Sequence, residues 1–250
     1  MINIIMHGCG GKMGRVVAEI VNADNQCQIV AGIDPGMPEA NFPLFPTPAD
    51  CTINADVIID FSTAAAVPAL LEFSKTKKIP VVVCTTALDE ETLHLLKETS
   101  KNVAILKSAN MSIGINLLID LVQKATKILY DANFDIEIVE KHHNQKIDAP
   151  SGTAMALADA INQAMDQQFD YVYDRSQTNT KRQRNEIGMH AVRGGNIVGD
   201  HDVIFAGRDE VIELTHRATS REVFAVGAVK AAKFLASQDA GLYSMKDLFA

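Results

Sequence analysis

The first twenty-two residues leave few folds open. A short apolar run, residues 2–7 (INIIMH), leads directly into Gly8, Gly11 and Gly14. A segment with Val16, Val17, Ile20 and Val21 on one helical face follows. This order reads as a buried strand, a glycine turn and an amphipathic helix. A glycine turn between strand and helix frees φ for a tight reversal. It also lets an anion approach backbone N–H groups at the positive end of the helix. The spacing is G-x-x-G-x-x-G rather than the commoner G-x-G-x-x-G, and a glycine cluster alone marks an ordinary turn just as well. Two features turn the reading towards a dinucleotide: the strand-loop-helix context, and Asp34, twenty residues after Gly14 at the end of the next strand. An acid there can hydrogen-bond a ribose diol.

The alternation continues. Residues 28–33, 56–61, 80–84 and 103–107 are apolar strand candidates, and 64–75 and 89–99 are helix candidates between them. Residues 37–50 carry four prolines and read as a loop. Strands apolar on both faces belong to a parallel sheet covered on both sides by helices. Loops at the C-terminal ends of such strands are where ligands bind. Cys84-Thr85-Thr86 and Ser108-Ala109-Asn110-Met111 occupy such ends, and Ser62 or Thr63 is a candidate cap for the helix that follows.

Beyond residue 112 the texture changes. A long amphipathic helix (113–130) precedes a strictly alternating strand (134–140) and a second helix (153–165). Residues 169–185 are polar and read as a mobile loop. Alternating segments within 187–217 suggest an open, mostly antiparallel sheet, and 221–236 a final helix that returns to the first domain. The expected fold is α/β: an N-terminal Rossmann-like dinucleotide-binding domain (1–112 with 220–250) plus an α+β domain with an open mixed sheet (113–219).

Composition narrows the function classes. The chain is 47% hydrophobic and 22% charged, as globular proteins are, with a net charge of -8. That charge argues against nucleic-acid or anionic-membrane partners. No apolar stretch approaches the roughly 20 residues of a membrane span, no signal peptide is visible, and the expected location is cytoplasmic. Cys9, Cys27, Cys51 and Cys84 form no C-x-x-C pair and read as free thiols.

The chemistry concentrates in residues 140–154, EKHHNQKIDAPSGTA. His142 and His143, adjacent at a strand end, point to opposite sides and can take different roles. Lys146 adds a cation, whose like charge would make a protonated imidazole beside it a readier acid. Ser151-Gly152-Thr153 opens a helix whose free N–H groups suit an anion. Taken alone, the segment is equally an exposed loop with a serine cap. His7 and His94 read as structural or exposed; His190, His201 and His216 lie in the presumed sheet and could approach the site, but structural or exposed roles fit them better.

This segment resembles the signature of the dihydrodipicolinate reductase family, E-x-H-H-x-x-K-x-D-x-P-S-G-T-A, at every fixed position. The loop GCGGKMGR, Thr85-Thr86, SANMSIGIN and RGGNIVGDHDVIFAG (193–207) are similar too, in order, through most of the chain. The resemblance implies an NAD(P)H-dependent oxidoreductase of lysine and diaminopimelate synthesis. It would reduce (2S,4S)-4-hydroxy-2,3,4,5-tetrahydrodipicolinate, a small dicarboxylate, to tetrahydrodipicolinate with loss of water. It implies His142 as proton donor with Lys146 as a second donor, and His143, Gly152 and Thr153 on the substrate carboxylates. Gly8, Cys9, Gly10, Gly11, Lys12, Met13, Asp34, Cys84, Thr85, Thr86, Ser108, Ala109, Asn110 and Met111 would hold the cofactor, and no metal is implied. The second domain would bind substrate and build a homotetramer, and a gap between the domains would close over both ligands.

The cofactor stays open between NADH and NADPH. Asp34 would repel a 2′-phosphate, and Pro35 stands where the family often carries a basic residue, while Lys12 and Arg15 are near enough to tolerate one. Rival readings fare worse. A semialdehyde dehydrogenase needs a nucleophilic cysteine in its catalytic domain, yet all four cysteines precede residue 85. A metal hydrolase lacks H-E-x-x-H. A non-catalytic NAD-binding redox sensor would not need His142, Lys146 and Thr153 together.

Overall fold

The computed structural model describes every residue except Pro38, Ala109, Gln177, Thr178 and Ala250. In chain order the elements are β1 Ile2–His7, α1 Lys12–Asn22, β2 Cys27–Ile33, β3 Leu44–Phe45, β4 Val57–Asp60, α2 Val67–Lys77, β5 Val81–Val83, α3 Glu90–Ser100 and β6 Ala104–Lys107. There follow α4 Ile113–Leu129, β7 Asp135–His142, α5 Gly152–Ala164, β8 Asp170–Val172, β9 Glu186–Arg193, β10 Gly199–Ala206, β11 Val211–Ala218, α6 Glu222–Leu235 and β12 Gly241–Tyr243. They gather into two compact units, Met1–Ser112 with Glu222–Ala250, and Ile113–Arg221.

The first unit is a parallel sheet in the order β12-β6-β5-β4-β1-β2-β3. The chain steps outward from β1 through β2 to β3, then crosses back to β4 on the other side of β1. Between β1 and β4 is therefore the switch point, where such sheets leave a crevice at their carboxyl ends. Ile4, Ile5, Ile58, Ile59, Val81, Val82, Val83, Ile105 and Leu106 are fully buried, as strands covered on both faces require. Helix α6, rich in buried alanines, packs on α1, β4, β5 and β6.

Two details differ from the sequence expectation. The proline-rich segment contributes the edge strand β3 and a 3-10 turn at Pro48–Asp50; two residues are too short to show a period. Neither Ser62 nor Thr63 caps with its side chain. The Ser62 hydroxyl donates to Asp60 (2.6 Å), and Thr63 opens a 3-10 turn before α2 without a side-chain cap.

The second unit is a sheet in the order β11-β10-β7-β9-β8. β7 lies antiparallel to β10, and β10 to β11, while β7–β9 and β8–β9 are parallel. The sheet is thus evenly mixed rather than mostly antiparallel: helix α5 and β8 carry the chain from β7 round to a parallel partner, which alternation within each strand cannot reveal. Ile136, Ile138, Val203 and Phe205 join Leu118, Val122, Leu157 and Ile161 of α4 and α5 in one core. Residues 169–185 are not simply a loop. They include β8, and Arg182 reaches back to Asp135 (2.7 Å), Glu137 (3.0 Å) and the Ile136 carbonyl (3.0 Å).

Candidate active site

In the first unit every strand points the same way, so the segments after β1, β2, β4, β5 and β6 leave one edge of the sheet. Gly8 adopts φ 80°, a left-handed value, and a Cβ there would lie 2.6 Å from the Phe61 carbonyl oxygen. A Cβ on Gly14 would lie 2.3 Å from the Gly8 oxygen, so the start of α1 can rest on the loop only without a side chain. Gly11 caps α1 with no side-chain bond, and no acidic residue stands in the first turn. The first N–H groups and the positive end of the helix therefore suit an anion.

Asp34 ties this loop to β2. One carboxylate oxygen accepts from Gly10 N–H and the other from Gly36 N–H, both at 2.9 Å. Cys9 is buried beneath, its thiol pushed up to about 11 by burial and then by Asp34. Lys12 is exposed and Met13 half-buried. After β5, Cys84 is buried, and burial raises its thiol well above the ordinary range, which leaves it inert as a nucleophile. The buried Thr85 hydroxyl has no hydrogen-bond partner among the described residues, while Thr86 is exposed. After β6, Ser108 donates to the Asn110 carbonyl (2.8 Å), Asn110 accepts from Ser112 N–H (2.8 Å) and Met111 is buried. Ala109 lies outside the described residues. The uncapped helix, the side-chain-free turn and the orphaned threonine hydroxyl fit a dinucleotide.

The second unit assembles the other constellation. Strand β7 runs between β9 and β10, so Glu140 faces His201 of β10 across the ladder and His142 faces Arg193 of β9. Glu140 has no exposed surface. Its carboxylate accepts from His142 Nδ1 (2.6 Å), from both terminal nitrogens of Arg193 (2.7 and 2.8 Å) and from Ser151 N–H (2.9 Å). Burial pushes the Glu140 carboxyl up, but the bonds from Arg193, His142 and Ser151 outweigh it and hold it below the ordinary carboxylate range. The Ser151 hydroxyl caps α5 by accepting from Ala154 N–H (3.2 Å), and it also meets His201 Nε2 (3.1 Å). A Cβ on Gly152, the first residue of α5, would meet nothing within 4 Å, so this helix start is open; Thr153 follows it, half-buried.

The neighbouring residues divide as their alternation suggests. His142 is buried and its ring packs edge-on against His201, with centroids 5.2 Å apart. His143 is half-buried beside Arg221 (3.4 Å). Lys146 pairs with Asp148 (2.8 Å), whose carboxyl it holds below the usual range. The group bonded to His142 is thus a carboxylate, and the Lys146 ammonium already has a counter-ion. The sequence assigns no site role to Glu140, Arg193 or Arg221, and it reads His201 as structural or exposed rather than as part of the site. The signature contains Glu140, but Arg193 and His201 lie more than fifty residues downstream, and only the sheet register brings them alongside.

A parallel sheet with a glycine turn at its switch point, in one chain with a second unit that offers a buried imidazole and an open helix start, defines a two-domain dinucleotide-dependent oxidoreductase. Family models for the N-terminus and the C-terminus of dihydrodipicolinate reductase match residues 2–111 and 114–249. The 4-hydroxy-tetrahydrodipicolinate reductase of Caldanaerobacter subterraneus subsp. tengcongensis is 54% identical over 99% of this chain and 98% of its own. Among solved structures, the dipicolinate-bound dihydrodipicolinate reductase from Paenisporosarcina sp. TG-14 is similar with TM-score 0.79 and 24% identity, over 98% of this chain and 97% of that one. The scyllo-inositol dehydrogenase from Lactobacillus casei with bound NAD(H) shares the fold at TM-score 0.58 and 13% identity, over 99% and 93%. The chain belongs to the dihydrodipicolinate reductase family.

Proposed function

We propose that this protein reduces (2S,4S)-4-hydroxy-2,3,4,5-tetrahydrodipicolinate to (S)-2,3,4,5-tetrahydrodipicolinate, with release of water, in lysine and diaminopimelate biosynthesis. NADH or NADPH, when bound in the first unit, supplies the hydride that reaches ring carbon C4. The second unit's residues do the rest. His142 gives up a proton as the hydroxyl departs as water, and Lys146 is a second donor. His143, the Gly152 N–H and Thr153 hold the substrate carboxylates. Gly8 to Met13, Asp34, Cys84 to Thr86 and Ser108 to Met111 hold the cofactor. The observation that carries this reading is the junction of β7 and α5, where a buried carboxylate binds both the imidazole of His142 and the amide that opens an anion-binding helix. Such a junction sets a proton carrier beside a helix start that can cradle a carboxylate.

Asp34 supports NADH, since its carboxylate would oppose a 2′-phosphate. Lys12 and Arg15, both exposed at the start of α1, keep NADPH within reach. The second unit is also the proposed site of homotetramer formation, and the proposed location is the cytoplasm. Following NADH and NADPH absorbance with freshly generated substrate tests the reading. Substrate-dependent oxidation is expected; a folded protein that binds NADH and oxidises neither cofactor sinks it.

A further inference from the structure

The sequence motif specifies a histidine but not which ring nitrogen works. An imidazole carries its transferable proton on one nitrogen only, and the bond made by the other nitrogen decides which. In the second unit that bond is the 2.6 Å contact between His142 Nδ1 and Glu140 Oε2. An ionised carboxylate can only accept hydrogen bonds. Glu140 is kept ionised by the forked Arg193 guanidinium, whose two nitrogens lie 2.7 and 2.8 Å from its two oxygens, and by Ser151 N–H. His142 Nδ1 must therefore be the donor.

We propose that Glu140, clamped by Arg193, is a positioning residue that keeps a proton on His142 Nδ1, so that Nε2 is the atom that exchanges protons with substrate. The inference rests on the reading of His142 as proton donor and adds to it the residue that arms the donor. The other side of the ring is consistent. Gly199 of β10 lies next to Nε2, and a Cβ there would come within 3.0 Å of that nitrogen, so the glycine leaves it uncovered. The edge-on ring of His201 limits rotation of His142. Burial and then His142 push the His201 imidazole down to about 4, so it stays neutral and does not compete as a proton carrier near pH 7. Besides Glu140 and His142, the charged and titratable groups that act on His201 are His216 of β11 and Lys146, which pairs with Asp148.

The same carboxylate governs the cradle, because its Oε1 takes Ser151 N–H and one Arg193 nitrogen while Oε2 takes His142 and the other. In a Glu140→Gln variant the amide oxygen belongs at the Oε1 position, where Ser151 N–H and Arg193 both donate. The amide NH2 then faces Nδ1 and donates to it. The neutral ring must flip to the Nε2–H tautomer, and its doubly protonated form loses its counter-charge.

The test is long-range 1H–15N NMR of the histidine-labelled full-length protein above pH 8, with the His142 signals identified by their loss in His142→Gln. The wild type is expected to show His142 as the Nδ1–H tautomer and Glu140→Gln as the Nε2–H tautomer. The variant's kcat is expected to fall by roughly 10²-fold or more, while KM and cofactor Kd stay within about twofold. An Nε2–H tautomer in the wild type overturns the proposal even if the variant does not fold. A variant that loses kcat but keeps the Nδ1–H tautomer overturns it as well, since Glu140 would then be purely structural. Failure of the wild type to turn over substrate would instead remove the reaction itself, so the two results are distinguishable.

Discussion

Asp34 and Glu140 are both carboxylates, and each is held by backbone amides of a neighbouring loop. Asp34 accepts from Gly10 and Gly36, and Glu140 from Ser151. The difference is charge balance. No guanidinium or ammonium is bonded to Asp34 among the described residues, so its negative charge bears on whatever sits over the glycine loop. Asp34→Ser is therefore expected to move the ratio of kcat/KM for NADPH over NADH upward by about tenfold, roughly 1.4 kcal/mol; an unchanged ratio would mean the acid does not read the ribose. Glu140 in contrast is nearly neutralised by Arg193, which suits a group that orients rather than repels. At this scale the sequence disclosed the first carboxylate and not the second. Asp34 announces itself by its distance from a glycine turn. Glu140 is one letter of a motif until β9 and β10 bring Arg193 and His201 to it.

Elements were legible where the chain had room to show a period. β1, α1, β2, α3, α4 and the four long strands of the second sheet lie where alternation and helical spacing put them. β3 and β8, of two and three residues, did not show. Pairing direction was also hidden, because a strand's own pattern is the same whether its neighbour is parallel or antiparallel. At the joint of β1 and α1 the constraint is steric, and it can be tested. Gly14→Ala would force a Cβ to within 2.3 Å of the Gly8 oxygen and 2.8 Å of the Cys9 Cα, both backbone atoms that cannot swing aside. The glycine turn must then open. Cofactor Kd measured by fluorescence or calorimetry is expected to rise by at least tenfold, a cost of about 1.4 kcal/mol, with the second unit's fold intact. Unaltered binding would show that the turn does not hold the cofactor.

On the scale of the whole molecule, the first unit is discontinuous in sequence. Its helix α6 comes from the far end of the chain and buries Ala225, Ala228, Val229, Ala231, Ala232 and Leu235. A chain ending at residue 221 is expected to lose the cooperative unfolding of the first unit and all cofactor binding, as read by calorimetry. Acid sensitivity is a second property of the whole. Burial, then His142, lowers the His201 imidazole from 6.5 to about 4 in the folded state. The unfolded chain then binds that proton first, so the contribution is present above pH 6.5 and is lost as pH falls towards 4. Glu140, also held low, acts in the same direction at lower pH. His201 alone accounts for about 3 kcal/mol across that window. The urea midpoint should fall between pH 7 and 4.5, and His201→Gln should flatten that fall; an equal slope in the variant would refute it.

The central claim is that a proton held on His142 drives reduction of a bound dicarboxylate. The most direct measurement compares wild type with His142→Gln for substrate-dependent NAD(P)H oxidation and for cofactor Kd. The expected result is turnover in the wild type and a loss of roughly 10² to 10⁴-fold in the variant, with cofactor Kd unchanged. Full turnover in a folded His142→Gln variant would contradict the account.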